Sequence, residues 1–364
     1  MKKKKSKLQI SCEKAEVAMK MVNNTIDELG KNTYHLYNTI TELQDLFDKI
    51  RNIPSDKMLQ YETLKNIRLS WQDQAKKIEK DYNNAVAKNV GQGAVGLGAG
   101  VAVAAIGPTA AMGIATTFGV ASTGTAISAL SGAAATNAAL AWLGGGALAA
   151  GGGGIAAGNA LLALAGPVGW TIAGVALLGS GILFCKSKIE KKSLENIFTL
   201  ISERDVKSYE LAVVELNERI RRITTETEML RVAIEKTKSY GLDYDKMTED
   251  HQYELGAYVN LMSSSTQLLV NPILGLQPRY CEMDYDKYII NNDNSNTDKS
   301  IKEHIIFFAN LLYAIDLNDK DRKLLWKSFR KNKKFLASIN LQKKEFDFSI
   351  IDTACEAVQH KGIA

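Results

Sequence analysis

From Asn89 to Cys185 the chain has no Asp, Glu, Lys, Arg or His over 97 consecutive residues, although it carries 45 basic and 40 acidic side chains elsewhere. A soluble domain rarely runs so far without a charged surface position. Cysteine is scarce as well: Cys12, Cys185, Cys281 and Cys355 are far apart and form no CxxC pair. That spacing excludes a disulfide framework or zinc knuckle and points to a reducing compartment. The four histidines, His35, His251, His304 and His360, stand singly without a partner at metal spacing. They read as surface or packing residues, and no nucleophile elbow or paired catalytic motif is present. We expect no enzyme activity and no cofactor.

Two further absences narrow the reading. The start Met1-Lys2-Lys3-Lys4-Lys5-Ser6-Lys7 has the charge of a signal-peptide n-region, but Glu13 and Lys14 arrive before any apolar segment of the required length. The expectation is synthesis in the cytoplasm, with the early lysines either a solvated tail or a site for anionic lipid. Gly91-Gln92-Gly93-Ala94-Val95-Gly96 matches GxGxxG, yet a helical pattern precedes it and no acidic residue follows until Glu190. A dinucleotide site needs a strand before the glycines and an acid about 20 positions after them.

Outside the uncharged stretch the chain is strongly periodic. Val22, Ile26, Leu29, Leu36, Ile40, Leu43, Phe47 and Ile50 fall at steps of three and four, with Thr33 in the one polar slot. This is a heptad seam. Ile53-Pro54-Ser55-Asp56 breaks it and caps a second helix, whose stripe is Leu64, Ile67, Trp71, Ile78 and Tyr82. Beyond the block, Tyr209, Val213, Leu216, Ile220, Ile223, Leu230 and Ile234 repeat the spacing, with Thr227 in one seam position and Gly241 as the stop. Neither long helix buries its stripe alone, so the two are expected to pack together as an antiparallel bundle. Residues 241–364 read as a small helical module, with an Asn/Asp-rich linker at 291–300 and helices over Ile301–Ile315, Lys320–Phe329 and Phe348–Val358. Within it, Lys320 to Lys334 is a basic run carrying Trp326 and Phe329. It reads as a solvated helix face, with nucleic-acid or lipid contact the other reading. The fold class is therefore all-α. Its divisions are 1–88, a basic tail and helical hairpin; 89–185, the uncharged block; 186–240, a long helix packed on the first ones; and 241–364.

A bilayer core of about 30 Å takes roughly 20 apolar residues per span, so the block has room for up to four. Val90–Ile106, Thr109–Leu130 and Val168–Cys185 suit single spans, whereas glycine runs break Ser131–Ala165. Residues placed in the bilayer are Val95, Val101, Ile106, Ile114, Phe118, Trp142, Leu161, Trp170, Val175, Leu178 and Phe184. Gly96/Gly100 and Gly154/Gly158 give the Gly-xxx-Gly spacing that lets helix backbones approach in membranes, which makes a homo-oligomer the expected state. Lys76, Lys77, Lys80 and Lys88 precede the block, and Lys186, Lys188, Lys191 and Lys192 follow it. Basic flanks stay cytoplasmic, so the crossings are two or four and the expected location is the cell membrane. Only 28 of the 95 residues from Gly91 to Cys185 are Val, Ile, Leu, Met, Phe or Trp, while 23 of the 28 glycines lie between Gly91 and Gly181. At about −0.3 to −0.6 kcal/mol per central Leu, Ile, Phe or Val, insertion is marginal, which favours conditional entry over permanent anchoring. A buried Gly/Ala core and a constitutive membrane tether remain as other readings of the same residues. A plain linker does not fit Trp142, Trp170 and Phe184.

Long amphipathic helices interrupted by an uncharged Gly/Ala-rich hairpin block resemble, over residues 10–240, the α-helical pore-forming toxins of the cytolysin A and haemolysin BL type. The stretch Ala133-Ala134-Ala135-Thr136-Asn137-Ala138-Ala139-Leu140-Ala141-Trp142-Leu143-Gly144-Gly145-Gly146, with Gly151 to Gly154 after it, is similar to apolipoprotein-L-like membrane-insertion regions. The resemblance implies an intracellular, toxin-like or defence effector that permeabilises the cytoplasmic membrane, since no signal peptide accompanies it. Its partners would be the lipid bilayer, further copies of itself and a regulatory protein contacting 241–364; no nucleic acid is expected. A constitutively tethered coiled-coil scaffold without pore activity is the alternative.

Overall fold

The computed structural model describes residues 5–55, 58–69, 187–270, 279–280, 282–291, 299–333, 336 and 341–363. Within them the regular structure is helical, as expected, apart from one isolated bridge between Arg51 and Asp243. Helix α1 spans Lys7–Phe47, α2 covers 58–69, α3 spans Lys188–Tyr240 and α4 Glu249–Val270. The C-terminal helices are α5 (Glu282–Asn291), α6 (Lys299–Leu312), α7 (Asp319–Lys331) and α8 (Phe348–Ile363). None of the described helices is long and apolar enough to cross a membrane. The uncharged block lies outside the described residues.

Helix α1 begins earlier than its leucine seam because Ser6 forms a capping box with Gln9: the Ser6 hydroxyl accepts from the Gln9 amide at 3.2 Å, and the Ser6 amide donates to Gln9 Oε1 at 2.9 Å. At 41 residues α1 is about 60 Å long, and the 53 residues of α3 reach about 80 Å. The predicted seams face each other. Val22, Leu29, Leu36, Ile40, Leu43 and Phe47 of α1 are buried in one core with Tyr209, Leu216, Ile220, Ile223, Leu230 and Ile234 of α3. Both polar slots are buried too. Thr227 donates to the Ile223 carbonyl, whereas Thr33 Oγ1 has no hydrogen-bond partner among the described residues.

The long helices do not pack antiparallel. Contacts climb both chains together: Cys12 with Ser202, Asn32 with Thr224, Glu42 with Lys238, and Arg51 with Asp243 in a parallel bridge. The antiparallel neighbours are the short returning helices. Tyr61 and Arg68 of α2 descend along α1 from Asp48 to Tyr37, and α4 descends along α3, from Glu254 beside Lys236 and Tyr240 to Leu268 beside Arg219. The physical reason is connectivity. Each long helix turns back at its own stop, Ile53-Pro54 or Gly241 (φ 84°), while the connection through 70–186 is long enough to impose no orientation on α3.

Helix α4 joins this first core through Leu255, Val259, Met262, Leu268 and Leu269. A second core lies at the opposite end, where Leu8 and Cys12 of α1 and Leu194, Ile197, Phe198 and Ile201 of α3 meet α5–α8. Phe308 sits at its centre, stacked on Phe346 at 5.4 Å and tilted against Phe329 at 5.5 Å. Asn310 ties α6 to Tyr280 by donating to its carbonyl at 2.7 Å and accepting from its amide at 2.9 Å. The expected linker is described only at its ends; 292–298 lie outside the described residues.

Candidate functional site

The residues assigned to the bilayer, Val95 through Phe184, the four association glycines Gly96, Gly100, Gly154 and Gly158, and the flanking lysines Lys76, Lys77, Lys80, Lys88 and Lys186 all lie outside the described residues. What the structure describes is the last helix before the block, α2, which it follows to Leu69, and the first after it, α3, from Ser187. Lys188, Lys191 and Lys192 are placed in the first turns of α3, all exposed.

On the entry side, α2 is fixed to α1 by a buried polar cluster. Arg68 is 3% exposed. Its Nε donates to Gln44 Oε1, its Nη1 donates to Tyr37 OH at 2.9 Å and to Thr41 Oγ1 at 2.8 Å, and its guanidinium lies 5.2 Å from the Tyr37 ring centroid. Two turns back, Tyr61 stacks on Phe47 at 5.6 Å and its hydroxyl donates to the Gln44 carbonyl at 2.7 Å and to Asp48 Oδ1 at 2.6 Å. Lys65 pairs with Asp48 Oδ2. Burial works against ionisation of Asp48, but hydrogen bonds from Lys65 and Tyr61 and the charges of Lys65 and Arg68 outweigh it and hold the carboxyl below its ordinary value. Burial, reinforced by Asp48, pushes the Tyr61 hydroxyl up.

The buried face of α2 is therefore Tyr61, Leu64 and Arg68. Ile67, expected in the apolar stripe, is 36% exposed, and Trp71, Ile78 and Tyr82 lie outside the described residues. Sequence reasoning missed Arg68. Its one signal was position: it stands four residues after Leu64, where the helical period places a buried group.

On the exit side, Ser187 caps α3 by accepting from the Glu190 amide at 3.1 Å. The first turns are then clamped by the C-terminal helices. Ser193 donates to Asp321 at 2.9 Å, and Phe198 meets Phe329 edge-on at 6.2 Å. Arg204, paired with buried Asp205 at 2.7 Å, donates to the Leu311 carbonyl at 3.1 Å and the Tyr313 carbonyl at 2.5 Å. The two attachment points are far apart. Arg68 lies beside Tyr37 and Thr41, beyond the level at which Asn32 touches Thr224. The stretch of α3 from Ser187 to Thr224 alone is about 55 Å at 1.5 Å per residue.

Among the described residues no group of three or more His, Cys, Asp or Glu could hold a metal ion. His251 instead stacks on Tyr240 at 4.0 Å, and His360 shares a hydrogen bond with Asn291 at 3.2 Å. Comparison of the chain with protein families, with curated proteins and with solved structures finds no match in any of the three.

Proposed function

We propose that this protein is a non-enzymatic membrane effector: a charged helical frame holds the uncharged Gly/Ala block, and release of that block lets its hairpins enter the cytoplasmic membrane, associate and permeabilise it. The observation that carries the reading is the run from Asn89 to Cys185 without a charge, joined at each end to a frame rich in charge and in specific contacts. Its composition supports conditional entry, because a thinly apolar segment gains little from the bilayer, and modest contacts in the frame can offset that gain.

The attachment geometry supports an unlatching step. With the frame upright and its exit end on the membrane, Arg68 stands about 55 Å away, whereas the 19 residues 70–88 reach only about 28 Å as a helix. For Asn89 and Cys185 to lie at one membrane face in that orientation, α2 must leave α1 or 70–88 must extend. The Arg68 cluster is the contact that the first of these steps breaks and the second leaves intact.

Charge at the centre of a span tests the reading. Val175→Asp raises the cost of insertion by roughly 3 kcal/mol, more than a marginal span can absorb. Expressed at equal level, the variant should move from the membrane fraction to the soluble fraction and lose toxicity. Unchanged fractionation and unchanged toxicity would contradict the proposal; membrane association without loss of membrane potential in the parent would instead favour the tethered scaffold.

A further inference from the structure

Charge in the C-terminal part of the chain is sorted. Residues 322–344 carry nine basic and no acidic side chains, while the rest of 241–364 carries seven basic and eighteen acidic ones. Some of the acidic groups are matched within the module: Asp284 pairs with Lys361 at 2.7 Å, Asp286 with Lys302 at 2.6 Å and Asp352 with Arg322 at 3.0 Å. The basic face of α7 is different. Lys320, Lys323 and Lys327 recur at steps of three and four on one side of the helix, all exposed and in no ion pair among the described residues. The turn after α7 adds exposed Lys343, whose carbonyl accepts from Arg330.

The fold places this face beside the exit of the uncharged block. Helix α7 packs on the first turns of α3 through Ser193–Asp321 and Phe198–Phe329, within three turns of Ser187. Those turns add exposed Lys188 and Lys192, and Lys191, which pairs with Glu195 at 3.9 Å. They sit at the positive end of the α3 dipole, where cations are locally unfavourable and only Glu190 complements the field. Two independent elements thus bring exposed lysines, Lys320, Lys323 and Lys327 of α7 and Lys188 and Lys192 of α3, to the end of the frame that adjoins the apolar segment, an arrangement that suits an external anion.

We infer that this end of the molecule is a docking surface for anionic phospholipid headgroups, which seats the frame on the cytoplasmic leaflet beside the block's exit. The inference rests on the membrane-effector reading but concerns binding, not permeabilisation. Juxtamembrane lysines attract an anionic surface within about a Debye length, so the attraction is sensitive to salt.

The test uses the full-length protein and sedimentation with vesicles of phosphatidylcholine alone or mixed with phosphatidylglycerol, together with a dye-release readout on the same vesicles. The protein should bind the phosphatidylglycerol vesicles more tightly and lose that preference in high salt. The triple variant Lys323→Gln, Lys327→Gln, Lys343→Gln should lower partitioning about a hundredfold. A control triple, Arg221→Gln, Arg231→Gln, Lys246→Gln, removes as many charges away from this end and should leave it unchanged, and circular dichroism should show both variants helical. Equal binding by the two triple variants, equal binding to neutral vesicles, or binding to a DNA or RNA duplex in place of vesicles would overturn the inference. Salt-sensitive binding through these lysines without dye release would leave the docking surface standing and refute the pore.

Discussion

Little water reaches Arg68. A guanidinium held by Gln44, Tyr37 and Thr41 leaves two buried acceptors, on Gln44 and Tyr37, and a partly buried one on Thr41 stranded when it is removed, at about 1–3 kcal/mol for each buried one left unsatisfied. Arg68→Gln should therefore speed hydrogen exchange of the α2 amides while leaving α3 protected, and should make the protein toxic at lower expression; slow exchange retained throughout 58–69 would remove the latch from the account. Asp48 gives the same contact a pH dependence. Because its carboxyl is depressed in the fold, its contribution is present above the ordinary carboxylate range and disappears as pH falls through the depressed value. Acid should loosen α2 in the parent, and Asp48→Asn should abolish that acid-dependent component. Cys355 has the opposite environment. Burial, partly offset by the charge of Arg322, pushes its thiol up to about 11, so iodoacetamide at pH 8 should modify it only after unfolding, as followed by peptide mass spectrometry.

At the scale of elements, the parallel pairing of α1 and α3 has a direct consequence. Asn32 Oδ1 and Thr224 Oγ1 lie 3.2 Å apart, so the double variant Asn32→Cys, Thr224→Cys should form an intramolecular disulfide under mild oxidation. An antiparallel pair would not bring those positions together. The long helices were legible in the sequence wherever leucine and isoleucine mark the seam, as at Leu29–Leu43 and Leu216–Leu230. The first 15 residues of α1 were not, because Cys12, Ala15 and Ala18 occupy the buried positions there. Helix α4 was hidden for a similar reason: Ser265 and Thr266, both fully buried, interrupt its apolar stripe. By contrast α8 starts at Phe348, as its pattern indicates. Helix direction was illegible because seam spacing is the same in either orientation, and only contacts such as Asn32 with Thr224 distinguish them. Of the candidate site, the lysines after the block could be read from sequence, whereas the buried arginine before it looked like any polar position on a helix.

At the scale of the whole molecule, the frame has a turn end and an attachment end. The two turns meet through Arg51 and Asp243, while α1 and α3 begin in the core built with α5–α8. The described chain stops after α2, partway along this axis, and resumes at Ser187 at the attachment end. In the proposed function the uncharged segment, released from the frame, breaches the membrane. The most direct test is induced expression in cells loaded with a membrane-potential dye, comparing the full chain with a form lacking 91–185. The full chain should depolarise the cells and the deletion should not, at matched expression. Intact potential with the full chain in the membrane fraction, or equal depolarisation by the deletion, would contradict the proposed function.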